Sequence, residues 1–111
     1  DLRQALSEKL AGMPNIPLRL VLHLVNDEIT VAAPILRKST VLSDMDLIYI
    51  VKSQGPDYWQ AIASRENLSA EVIDVLAATR DQGTAFVLTR NERVTLTRYA
   101  LDILTDLAKE N

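Results

Sequence analysis

Apolar residues along this chain fall at helical spacing, and the helical segments themselves recur. Val72, Ile73, Leu76 and Ala77 lie on one stripe of a 3.6-residue period, and so do Leu96, Tyr99, Ala100, Ile103, Leu104 and Leu107. No segment alternates apolar and polar residues as a half-buried strand would. The pattern predicts helices over 2–12, 17–26, 28–38, 43–54, 57–65, 69–80, 82–90 and 95–109. Gly12, Pro14 and Pro17 interrupt the first pair, and Gly55-Pro56 interrupts the middle of the chain. Pro34 falls inside the third helix, where its ring and missing N–H should kink the helix or delay its start.

A register of 26 residues links these segments. Ser43, Ser69 and Thr95 stand 26 apart, and one step earlier falls on Pro17. Ser and Thr accept hydrogen bonds from the free N–H groups of a first helical turn, and Pro favours a helix start. Ile16, Leu42, Leu68 and Val94 precede these caps, and Val21, Leu47, Ile73 and Tyr99 follow them by four residues. Those are the two partners of a hydrophobic staple, which sets the angle at which the chain joins the helix. Asp46, three residues after Ser43, adds a variant of the capping box. Two further columns are apolar throughout, namely Leu10, Leu36, Ile62 and Leu88, then Val25, Val51, Ala77 and Ile103. With 48% of residues apolar, roughly one such column is expected by chance, and four are present. Each unit therefore reads as a short helix, a turn and a longer helix. Helices this short do not persist alone in water, so their stripes must be buried on neighbouring units. The fold class is all-α, a short right-handed α-solenoid of about four 26-residue helical hairpins in a single domain over 1–111.

Composition narrows the function. The 111 residues suffice for one core, and 24% charged residues is ordinary for a globular chain. Net charge is −3, without the basic excess that phosphate binding usually requires. The absence of Cys excludes disulfides, thiolate metal sites and cysteine nucleophiles, and fits a cytoplasmic setting. No apolar run approaches the roughly 20 residues that span a bilayer, so a membrane partner is not expected. The chain begins at Asp1 rather than Met and reads as a fragment of a longer protein.

The stretch Gln60-Ala61-Ile62-Ala63-Ser64-Arg65-Glu66-Asn67-Leu68-Ser69, followed by Val72, Leu76-Ala77, Asp81 and Val87-Leu88-Thr89-Arg90-Asn91, resembles leucine-rich-variant and HEAT-like α-repeats. Three further stretches are Val31-Ala32-Ala33-Pro34-Ile35-Leu36, Leu42-Ser43-Asp44-Met45-Asp46-Leu47 and Ala61-Ile62-Ala63-Ser64-Arg65. In these the chain resembles a family of uncharacterised bacterial proteins, frequent in alphaproteobacteria and known as a domain of unknown function. The resemblance spans roughly residues 17 to 107. It implies a helical-repeat fold in a bacterial cytoplasmic protein, and repeat domains of this kind mostly bind proteins.

Few residues suggest chemistry. His23 is the single His, and a packed helix residue at the core edge explains it better than a metal ligand or a general base, since no partner stands nearby in sequence. Asp44 and Asp46 suit a first helical turn, where acids complement the dipole. Tyr49 and Tyr99 read as core-edge residues. Arg37, Lys38, Arg65, Arg90 and Arg93 all fall at turns within units, and stacking would align them into a basic ridge. That ridge is either a row of solvated helix C-termini or a surface for an acidic partner. Trp59 stands in a column with Ala33 and Ala85, so it either fills a gap between units or projects as an interface anchor. Asn67 and Asn91 suit turns or caps. No phosphate loop, metal-spaced cluster or nucleophile elbow is present.

The expected function is a non-enzymatic protein-interaction module, of scaffold or regulatory type, with Arg37, Lys38, Trp59, Arg65, Arg90 and Arg93 as candidate partner-binding residues. No catalytic residue, metal or cofactor is expected. The partner is another protein, with self-association open through the last helix at Leu104 and Leu107. The alternative is nucleic-acid or phosphate binding along the basic ridge.

Overall fold

The computed structural model describes residues 1–110, which form eight helices and no strand. They are α1 (Leu2–Ala11), α2 (Leu18–Val25), α3 (Ile29–Lys38), α4 (Asp44–Ser53), α5 (Pro56–Ala63), α6 (Ala70–Ala78), α7 (Gln82–Arg90) and α8 (Arg98–Lys109). All eight coincide with segments expected from the apolar pattern. Most starts follow from an identifiable cap. Asp1 accepts from the Arg3 and Gln4 N–H groups. Ser43 and Asp46 form a complete capping box, with the Asp46 N–H donating to Ser43 Oγ at 3.1 Å and the Ser43 N–H to Asp46 Oδ2 at 3.0 Å. Ser69 accepts from Val72 N–H, and Asp81 accepts from both the N–H and the hydroxyl of Thr84. Pro56 opens α5 directly after Gly55, where a missing N–H costs nothing. Helix α3 already begins at Ile29 and continues through Pro34, so that proline does not delay its start.

The helices pack in two rows. In one, α1 lies on α3, α3 on α5 and α5 on α7; in the other, α4 lies on α6 and α6 on α8, while α2 rests on α3. The molecule measures 43 × 23 × 23 Å. Leu36, Ile62 and Leu88 form one fully buried line at 0, 0 and 1% exposure, and Leu10 ends it half-buried. Val25, Val51 and Ala77 are buried in the same way. A fully buried aliphatic side chain contributes about 1.5–3 kcal/mol relative to an exposed one, so these lines hold the rows together.

The 26-residue register slips at the last helix. The cap of α8 is Thr97, not Thr95: its hydroxyl accepts from Ala100 N–H at 3.0 Å and donates to Asp74 Oδ1 of α6. The stripe that α8 turns inward holds Ala100, Ile103, Leu104 and Leu107, so Tyr99 does not pair with Val94 in a buried staple. It is 52% exposed, and Ala100 takes the buried place in a small cluster with Ile73 and Ala77. Tyr49 and His23 are also exposed rather than packed at the core edge. On α8, Leu107 is buried and Leu104 half-buried. Among the described residues no helix is long and apolar enough to cross a membrane.

Candidate functional site

The turns between rows converge on an open groove of about 1120 Å³. The last turn of α3 brings Arg37 and Lys38, the α5–α6 turn brings Arg65 and Glu66, and the end of α7 with its following loop brings Phe86, Arg90, Glu92 and Arg93. Five cations and two carboxylates line it, a net +3 within a chain of net −3. All five basic residues expected to align do line one surface, but they serve different ends.

Arg65 is only 9% exposed and is bound from beneath. Its Nη1 donates to the Leu36 carbonyl at 2.6 Å and its Nη2 to the Ser39 carbonyl at 2.5 Å, both at the C-terminal end of α3. The last carbonyls of a helix lack internal donors, and a guanidinium fork satisfies two of them at once. Burial pulls the Arg65 pKa below its ordinary value, while the charge of Asp44 opposes that shift. The buried Arg65 Nε has no hydrogen-bond partner. Arg65 therefore ties the α5–α6 turn to the end of α3 and is not a freely presented cation. Asn91 makes a similar tie from the end of α7 to the α5–α6 turn. Its Nδ2 donates to the carbonyls of Ala63 and Arg65, each at 2.8 Å, and its Oδ1 accepts from Arg93 N–H at 3.0 Å. Ser39, Arg65 and Asn91 stand 26 residues apart, the same spacing that separates Ser43, Ser69 and Thr95.

The remaining cations face solvent. Arg93 pairs with Glu66 at 2.6 Å across the rim, both side chains being mostly exposed. Arg37, Lys38 and Arg90 are exposed and have no carboxylate in ion-pair range among the described residues. The Arg90 guanidinium instead lies over the Phe86 ring, 5.6 Å from its centroid. Phe86 is 64% exposed and was not singled out from sequence. The signal was its column, in which the other units carry Glu8, Pro34 and Gln60.

Trp59 lies outside the groove. It is half-buried against the main core, and its indole Nε1–H donates to the Val51 carbonyl at 2.7 Å. The ring is thus partly packed between α4 and α5 with its polar edge satisfied. Asn67 joins the groove lining. Among the described residues no group of three or more His, Asp or Glu side chains is placed to hold a metal ion.

No curated protein and no solved structure matches the chain. A family model does match, over residues 31–111, which begins just inside α3 and takes in every residue of the groove. The match starts at Val31, where the first family-like stretch of the sequence also starts. On that match the chain belongs to the family described as uncharacterised protein conserved in bacteria, DUF2336.

Proposed function

We propose that this chain is a non-enzymatic protein-interaction module of a bacterial cytoplasmic protein, and that its basic groove receives an acidic segment of a partner. It is built as a short right-handed α-solenoid of about four 26-residue hairpins, a reading supported by the chain-order packing of both helix rows. The observation that carries the function is the groove itself. Three exposed cations without carboxylate partners, Arg37, Lys38 and Arg90, are gathered beside an exposed aromatic ring on a molecule that is otherwise acidic. Such complementarity steers encounter and selects acidic partners.

A nucleic acid suits the groove less well. Duplex DNA carries a charge every ~1.7 Å of axis, and in the groove it would meet the carboxylates of Glu66 and Glu92 as well as the cations. The test measures binding of a fluorescent glutamate-rich peptide and of a short DNA duplex, at low and high salt. The protein is compared with the variant Arg37→Glu, Lys38→Glu, Arg90→Glu. We expect peptide binding that the variant loses while keeping its circular dichroism. Binding of DNA in preference to the peptide would overturn the proposal in favour of the nucleic-acid reading.

A further inference from the structure

We infer that the groove selects an acidic segment bearing one aromatic side chain, which it seats on Phe86 beside Arg90; this rests on the acidic-partner reading above. Phe86 does not support the core, since 64% of it is exposed. The repeat does not require an aromatic there either, because the equivalent positions are Glu8, Pro34 and Gln60. What Phe86 does hold is Arg90, whose guanidinium lies over the ring, 5.6 Å from its centroid. A guanidinium held against a ring loses less freedom when it accepts a carboxylate than a free one does. Val87, half-buried in the same wall, extends the apolar surface next to the ring. The wall of α7 therefore offers an apolar seat and a prepared donor together, and Arg37 and Lys38 add charge from the end of α3.

The occupant this fits carries carboxylates for the cations and one flat ring for the seat. An aromatic suits it better than an aliphatic side chain. Ring pairs gain energy beyond their buried area, and two side-chain torsions are cheap to immobilise.

Two fluorescent peptides distinguish this from simple charge attraction. One contains only Glu and Ser; the other is identical except for a central Trp. Anisotropy titrations on the full chain should show the Trp peptide binding about five- to tenfold more tightly. Phe86→Ala should erase that advantage and, by freeing Arg90, weaken the Glu/Ser peptide by about twofold at most, while Phe86→Tyr should retain it. Because Phe86 is exposed, these variants should keep the melting temperature of the parent. Equal binding of both peptides, or an advantage that survives Phe86→Ala, overturns the aromatic seat while leaving the acidic-partner reading intact. Failure of both peptides to bind at low salt overturns both.

Discussion

Replacing Asn91 tests whether the units are fastened by directed hydrogen bonds or by the general charge of the groove. The Asn91 amide donates twice, to the carbonyls of Ala63 and Arg65 at 2.8 Å, and accepts once from Arg93 N–H at 3.0 Å. At about 1 kcal/mol net for each neutral hydrogen bond, the two bonds that half-buried Asn91 donates to Ala63 and Arg65 make Asn91→Ala cost about 2 kcal/mol. Asn91→Asp has the same shape and keeps the bond from Arg93. It cannot donate, however, and it sets carboxylate oxygens against two carbonyl oxygens. We expect it to cost about 3 kcal/mol, more than Ala. A groove of net +3 makes the opposite prediction, because it should welcome a carboxylate. Urea unfolding followed by circular dichroism decides the order. Against a total stability of about 5–15 kcal/mol, both losses are measurable, and Asn91→Ala should lower Tm by about 10 °C. An Asp variant as stable as the Ala variant, or more so, would refute the directed-bond account.

Three further outcomes are expected. Arg80 is the single non-glycine residue with positive φ, at 57°, among the described residues, and its ion pair with Glu110 is solvent-exposed and worth little. Arg80→Gly should therefore raise stability by about 0.5–1 kcal/mol, and a lower Tm would count against that. Burial works against the charged form of Asp81, but hydrogen bonds from Thr84 and Gln60 outweigh it and hold its pKa below the ordinary 3.8. A depressed carboxyl stabilises the fold above its unfolded pKa and loses that contribution as pH falls through its folded pKa. Asp81→Ala should thus cost about 1 kcal/mol near neutrality, with the gap to the parent narrowing in acid; unfolding curves at several pH values would show a constant gap if this is wrong. Glu66→Gln removes the carboxylate that occupies Arg93 at the groove rim, so the glutamate-rich peptide should bind about two- to fivefold more tightly. Unchanged affinity in the same titration would mean that Arg93 takes no part in binding.

The sequence by itself determined where the helices lie and which stripes they bury. Apolar spacing and cap chemistry are local, and a residue such as Ser43 satisfies its helix whatever lies beyond. Leu36, Ile62 and Leu88 share one 26-residue register, and all three are buried. That register also put Arg37, Lys38, Arg65, Arg90 and Arg93 on one side of the molecule. Only the tertiary structure decided what each of them does there. Arg65 is withdrawn from the surface by carbonyls some 26 to 29 residues earlier in the chain. Arg93 is partnered by Glu66, and Trp59 is turned inward onto the Val51 carbonyl. Thr97 rather than Thr95 caps α8 and reaches Asp74 of α6, and Tyr99 faces outward. Phe86 stood in the sequence as one more apolar residue, whereas in the fold α7 holds it out of the core beside Arg90. The periodicity of a chain specifies which face of a helix is buried; whether a polar or aromatic side chain is left free depends on the groups that packing brings to it from distant units.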